Sequence, residues 1–253
     1  MSSQSPLDTS IRLNKAISDT GYCSRREADK LIDQGRVMVN ESRGNLGDRV
    51  SLIDKLIVDG KLLKRAENTS YIVFNKPVGI TCTTEVKIKN NIIEYINHNQ
   101  RIFPIGRLDK ASEGLIFLTS DGNMVNKVLR AGNNHEKEYM VTVNKAITSA
   151  FIEKMGNGIP ILNTITSKCF VQKESTYIFR IILTQGLNRQ IRRMCDFLDY
   201  QVIKLKRIRI MNIKLDNLAI GKWRNFTEKE LIEINSLIKN SSKTEEASIT
   251  QIE

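Results

Sequence analysis

The segment from Gly106 to Gly122 reads Gly-Arg-Leu-Asp-Lys-Ala-Ser-Glu-Gly-Leu-Ile-Phe-Leu-Thr-Ser-Asp-Gly and constrains the fold more than any other part of the chain. Its apolar run, Leu115 to Leu118, has strand length and predicts a buried strand that anchors the preceding loop in a sheet. Gly106 and Gly114 bracket that loop and permit turns that other residues resist. Between them stands Asp109, a carboxylate flanked by Arg107 and Lys110, in the arrangement of a rigidly mounted acid. A solvated turn aspartate fits the same spacing equally well, so the rest of the chain has to decide.

The 253 residues carry a formal net charge of +11, from 39 Lys and Arg against 28 Asp and Glu. A surplus of this size speeds association with polyanions and points to nucleic acid or an anionic membrane surface as partner. No window reaches the roughly 18 apolar residues of a membrane span. The N-terminus lacks the charged start and apolar block of a signal peptide, so a soluble, cytoplasmic protein with no membrane partner is expected. Cys23, Cys82, Cys169 and Cys195 lie far apart with no CxxC pair, and only His98 and His135 could serve as imidazole ligands. That pattern argues against zinc and predicts thiols kept reduced as small apolar side chains. Neither histidine stands beside an obvious nucleophile, which argues against a His-activated Ser or Cys.

From Ile11 to about Leu63 the pattern is a compact helix pair followed by short strands. Leu13, Ala16 and Ile17 share one helical face. Ser24-Arg25-Arg26-Glu27 has the spacing of a capping box, Ala28, Leu31 and Ile32 form the second stripe, and Gly35 ends that helix. Alternation in Arg36 to Asn40 and the apolar Leu56, Ile57 and Val58 predict short strands. Arg12, Lys15, Arg25 and Arg26 converge at helix starts, where backbone N–H groups also favour phosphate; a solvated basic face is the other reading of the same charges. The Arg-Leu-Asn-Lys opening and the Cys-Ser-Arg-Arg-Glu-Ala run resemble the S4 RNA-binding domain. That resemblance implies RNA contacts at Arg12, Lys15, Ser24, Arg25 and Arg26, which position the RNA without reading its sequence.

Residues 1–10 are expected to be a flexible N-terminus, 64–70 a polar linker, 71–238 a second domain, and 239–253, rich in Ser, Thr, Glu and Lys, a disordered tail. In the second domain strands are expected at Tyr71 to Phe74, Gly114 to Thr119, Lys137 to Val143, Cys169 to Gln172, Ile178 to Leu183 and Val202 to Leu215. Helices are expected at Ile92 to Asn97, Asn123 to Leu129, Thr148 to Met155, Arg189 to Leu198 and Thr227 to Ile238. The fold class is therefore α+β: a small N-terminal module, then a mixed, mostly antiparallel sheet with flanking helices.

Two further motifs carry chemistry. In Gln185 to Met194 a helix beginning near Asn188, its expected N-cap, sets Ile191, Met194, Cys195 and Leu198 on one face. Arg189, Arg192 and Arg193 fall on the other, to meet phosphate or a carboxylate, although solvated arginines fit this helix equally when it is viewed alone. In the strand Lys137 to Val143, Tyr139 shares a face with Val141 and Val143 and either belongs to the core or looks into a cleft.

Taken in order, the S4-like module, Asn75-Lys76-Pro77-Val78-Gly79, Gly106-Arg107-Leu108-Asp109, Lys137-Glu138-Tyr139 and Asn188-Arg189-Gln190-Ile191-Arg192-Arg193 resemble the RsuA-type pseudouridine synthases, in the branch acting on large-subunit ribosomal RNA. The resemblance implies that Asp109 is catalytic, that Tyr139 stacks on the target uracil, and that Arg192 pairs with Asp109 and keeps it anionic in a cleft that excludes water. It also implies that Arg107 fills the space left by the everted base, and it makes Arg189 and Arg193 candidate RNA contacts. Lys76, before a proline at a strand end, either faces phosphate or shapes the cleft floor. The reaction breaks N1–C1′ and joins C1′ to C5, so no metal, redox cofactor or nucleotide triphosphate is required. Asp109 serves either as nucleophile at the sugar or as base at C2′. Tyr139 is the family-based candidate for the C5 proton, though a neutral phenol is a poor base. The expected substrate is a uridine of large-subunit (23S) ribosomal RNA and the expected state a monomer. The alternatives are a transfer RNA anticodon stem-loop, small-subunit RNA, or a noncatalytic RNA-binding or ribosome-assembly protein.

Overall fold

The computed structural model describes residues 10–64, 68–129 and 135–239. The expected flexible start below Ser10, the middle of the expected linker and the expected tail from residue 240 onward lie outside the described residues. The chain divides into two compact units, Met1–Thr69 with Asn99–Arg101, and Ser70–His98 with Ile102–Glu253.

In the first unit β1 (Ile11–Arg12) runs into α1 (Leu13–Asp19), followed by α2 (Arg25–Asp33). The capping box forms as the spacing requires: Glu27 N–H donates to Ser24 Oγ at 3.2 Å, and Ser24 N–H donates to the Glu27 carboxylate at 2.9 Å. Two of the helix's open N–H groups are thereby satisfied. Past its C-cap at Gln34, Gly35 takes a left-handed φ of 71° and turns the chain into the sheet. That sheet holds β2 (Val37–Val39), β3 (Ser42–Arg43), β5 (Leu56–Val58) and β6 (Lys61–Leu62) in the order β3-β2-β5-β6, while β4 (Arg49–Val50) pairs with β1. Leu13, Ala16, Ile17, Ala28, Ile32, Val37 and Val58 close the core. Arg12, Arg25 and Arg26 stay exposed. Lys15 forms an ion pair with Asp19 one turn along α1.

The second unit contains β7 (Tyr71–Lys76), α3 (Ile92–Ile96), β8 (Phe103–Ile105), β9 (Glu113–Thr119), α4 (Gly122–Leu129), β10 (Lys137–Val143) and α5 (Ser149–Gly156). It continues through β11 (Pro160–Ile161), β12 (Thr164–Ile165), β13 (Phe170–Lys173), β14 (Ile178–Leu183), α6 (Gln190–Phe197), β15 (Val202–Ile210), β16 (Ile213–Lys214), β17 (Trp223–Asn225) and α7 (Glu228–Leu237). Its nine-stranded sheet runs β13-β14-β10-β15-β9-β7-β17, with β8 on β9 and β16 on β15. Every pairing is antiparallel except β9 with β15, a parallel seam of two residue pairs, Lys206 with Glu113 and Arg207 with Gly114. The fold is α+β, as the mixture of neighbouring strands and short helices predicts.

All seven residues of β9 are buried. Because side chains alternate along a strand, Leu115 and Phe117 join a core with Val73, Met124 and Ile234, while Ile116 and Leu118 join another with Phe74, Ile92 and Leu108. A third core, built on Val141, Phe151, Phe179, Met194 and Leu205, covers the other half of the sheet. The expected single strand Val202 to Leu215 is in fact a hairpin. Met211 takes a left-handed φ of 53°, and the chain folds back so that Ile213 pairs with Ile210. The short strands β8, β11, β12 and β17 have no counterpart among the sequence expectations, since two or three residues leave no readable period. No helix among the described residues is long and apolar enough to cross a membrane.

Candidate active site

The Asp109 loop connects β8 to β9 and is held from several sides. Leu108 packs into the core, and its N–H donates to Cys82 Sγ at 3.4 Å. Gly79 N–H donates to Lys110 O at 2.8 Å, and Ser112 N–H closes a turn on Asp109 O at 2.9 Å. Gly106 sits at φ 81° and Gly114 at φ 106°. A Cβ on Gly114 would lie 2.2 Å from Arg207 O, so the parallel seam admits only glycine at this position. These contacts hold the carboxylate at the wall of a cleft of about 690 Å³, lined also by Arg107, Lys137, Tyr139, Arg189, Arg192 and Arg207. Tyr139 enters from β10, half buried between two of the cores.

The expected pairing of Asp109 with Arg192 is not what the structure shows. The guanidinium beside Asp109 is that of Arg189, Nη1 to Oδ2 3.6 Å. Asn188 is not the N-cap of α6; Arg189 holds that place, in the left-handed conformation at φ 51° and without a side-chain cap. Asn188 instead accepts from Arg193 through both its backbone and side-chain oxygens. One turn into the helix, Arg192 is buried. It donates to Val202 O at 3.2 Å, to Ala111 O at 3.0 Å and to Ser112 Oγ at 3.3 Å. Its fork therefore fastens the residues just after Asp109, and Asp109 acts on it only through space. Burial and Arg189 both push the Arg192 pKa down, with Asp109 opposing.

Lys76 is fully buried and donates to Pro77 O at 2.9 Å and Ser112 O at 2.7 Å, so it cannot face phosphate and instead supports the floor under the loop. Two more cations line this cleft, Lys137, whose motif the sequence shows without assigning that lysine a role, and Arg207, which no sequence motif includes. Lys137 lies two residues before Tyr139 on the same strand, where a period of two would have placed it. Arg207 becomes a neighbour only through strand register, opposite Tyr139, with its guanidinium carbon 5.9 Å from the ring centroid.

Comparison with known proteins meets this geometry in the same stretches of chain. The family pattern of RNA pseudouridylate synthases matches residues 70–197, which hold Asp109, Tyr139, Arg189 and Arg192, and that of the S4 domain matches residues 11–56. The chain belongs to the RNA pseudouridylate synthase family. A dual-specificity RNA pseudouridine synthase, RluF, from Salmonella typhi is 56% identical over 237 residues, 93% of this chain and 82% of that protein. The ribosomal large subunit pseudouridine synthase B of Bacillus subtilis is 32% identical, covering 89% of this chain and 96% of that one. A crystal structure of a pseudouridylate synthase superposes with a TM-score of 0.65 at 26% identity, over 90% of this chain and 99% of that chain. The synthase is thus an RNA-modifying isomerase carrying an S4 domain, and the reading of its charges as those of a noncatalytic RNA-binding protein falls away.

Burial gives this synthase a pH signature. The Lys137 ammonium, which donates to His135 O at 2.9 Å, has its pKa lowered from 10.5 to about 8, by burial first and by Arg207 second. Below about pH 8 the folded and unfolded chains both carry the charge, and burying it opposes folding. Between about 8 and 10.5 the folded chain has lost the proton and the unfolded chain has kept it. Stability at this site therefore rises with pH, by up to about 1.4 kcal/mol per unit. Lys137→Met is expected to melt above the parent at pH 7, with the advantage shrinking toward pH 10.5. Thermal unfolding of both proteins across that range checks it, and a difference independent of pH would contradict the assignment.

Proposed function

We propose that the synthase converts uridine to pseudouridine in large-subunit ribosomal RNA, with Asp109 as the catalytic carboxylate and a transfer RNA stem-loop as second substrate. The observation that carries this reading is the placement of Asp109 and Tyr139 around one cleft, with a guanidinium 3.6 Å from the carboxylate. The printed names of the relatives, one of dual specificity and one acting on the ribosomal large subunit, support large-subunit RNA and a second RNA as substrates. The target uridine leaves its stack at a cost of a few kcal/mol and seats against the Tyr139 ring. Arg107, exposed at the rim, takes the vacated place in the RNA. Arg189 holds the charge of Asp109, while Arg192 and Lys76 hold the loop that carries it. In the S4 unit Arg12, Arg25 and Arg26 contact phosphate. Lys15 and Ser24 contribute less, since one is engaged with Asp19 and the other caps α2. The isomerisation exchanges one bond of C1′ for another with no change of oxidation state, so these side chains suffice and the protein acts as a monomer in the cytoplasm.

The test is to incubate the purified full chain with protein-free large-subunit RNA, small-subunit RNA and bulk transfer RNA, and to map pseudouridine in each. Single modified sites in the first and last are expected. Product confined to small-subunit RNA would overturn the substrate assignment.

A further inference from the structure

The two faces of the β10–β15 ladder treat their cations differently. On one, Glu138 takes Arg209 at 2.6 Å and Arg180 at 3.4 Å, and Glu136 takes Arg209 at 2.9 Å. On the other, where Tyr139 points, four cations have no carboxylate of their own. Lys76 bonds Pro77 O and Ser112 O, Lys137 bonds His135 O, Arg192 bonds two carbonyls and the Ser112 hydroxyl, and Arg207 bonds Leu115 O at 2.6 Å. Among the described residues none of these four forms an ion pair. The carboxylates within reach are engaged elsewhere: Asp109 faces Arg189, and Glu113 pairs with Lys204 at 3.1 Å. Arg207 is only 4% exposed, and its Nη2 has no hydrogen-bond partner. A bulge makes the division possible. Glu138 pairs with Arg209 and Tyr139 with Arg207, so Ile208 is skipped, and two arginines two residues apart serve opposite faces.

Burying several cations on neutral carbonyls alone is costly, and a site so built favours any negative charge that arises inside it. The proposed reaction creates one. Whether Asp109 attacks C1′ or removes the C2′ proton, the N1–C1′ bond breaks with both electrons leaving on the base. The detached uracil is then an anion, its charge spread over N1, O2, O4 and C5. C5 next forms the new bond to C1′, and the proton it loses is balanced by the one N1 gains. We propose that Arg207 and Lys137, backed by Lys76 and Arg192, form an anion site that stabilises the detached pyrimidine beside Tyr139. This rests on the proposed role of the cleft. Uracil neutral in the stack gains little from the site and the departing base gains much, which is the condition for lowering a barrier rather than merely tightening binding.

Two free bases serve as probes: 5-nitrouracil, which is deprotonated at neutral pH, and thymine, which is neutral and also substituted at C5. Competition with RNA by the full-length protein is expected to show the anion held at least about tenfold more tightly. Arg207→Lys should keep most of that preference, and Arg207→Met should lose it. With Arg207→Met, kcat should fall by about 10²-fold while RNA affinity stays within about threefold. Wild type showing no preference, Arg207→Met keeping both preference and kcat, or Arg207→Lys failing as fully as Arg207→Met would each overturn the proposal. Should Arg207→Met not fold, Lys137→Met carries the same comparison. Asp109→Asn separates this proposal from the functional reading: it should be inactive yet still prefer the anion. Activity in that variant would sink the assignment of Asp109 and leave the anion preference standing.

Discussion

Asp109→Asn is expected to abolish isomerisation, lowering kcat by at least about 10⁴-fold, the scale on which losing an essential nucleophile or base is felt. RNA affinity should change by less than about threefold, because the carboxylate makes no favourable contact with phosphate. The substitution is nearly isosteric, and the loop around it is fixed by other groups: Leu108 in the core, Lys110 O on Gly79, Ala111 O and Ser112 on Arg192. Its melting temperature should therefore stay within a degree or two of the parent. The ion pair that is lost lies between a side chain 47% exposed and one 34% exposed, and such pairs contribute under about 1 kcal/mol. Single-turnover assays on RNA carrying a mapped target uridine, with binding measured in parallel, decide the matter. Substantial turnover by the amide would remove Asp109 from the chemistry.

Gly114→Ala is expected to cost stability more than any conservative change elsewhere in the sheet. The new methyl would stand 2.2 Å from Arg207 O and 2.7 Å from Arg207 N, at a φ of 106° that side chains rarely adopt. The neighbour is backbone inside a parallel ladder and cannot step aside without opening it. A loss of at least about 3 kcal/mol follows, which lowers the melting temperature by about 10 °C in a domain of this size. Gly79→Ala is the control, with a similar φ of 93° and nothing within 4 Å of the added carbon. It should carry backbone strain alone, about 1 kcal/mol. Equal melting of the two variants would show that the close approach at the seam has no energetic weight.

Much of this was readable from the chain because it depends on near neighbours. The capping box needs only Ser24 and Glu27, the Asp109 loop only its bracketing glycines and the apolar run behind it, and the long strands show their period. Structure departs from local pattern where distance in sequence or backbone twist decides. Helical spacing puts Arg189 and Arg192 on comparable terms. It does not reveal that Arg189 turns left-handed at the helix start, nor that a buried Arg192 spends donors on a hydroxyl and a carbonyl 80 and 81 residues earlier. Lys76 reads as a surface lysine before a proline until Ser112 O is found against it. Arg207 faces Tyr139 because of a bulge and a strand pairing across some seventy residues, and no local pattern records either.

The parallel seam also sets an order of assembly during synthesis. Gly114 leaves the ribosome more than ninety residues before Arg207, the partner without which its strand has an open side. Until β15 emerges, the carboxylate loop and the strand behind it exist without the part of the cleft wall that Leu205, Arg207 and Ile210 supply, and long-range pairings of this kind form late. A nascent chain therefore already holds a finished S4 sequence, able to engage the RNA around it, well before it can modify any nucleotide. A message cut short before residue 207 would release a product that binds without reacting.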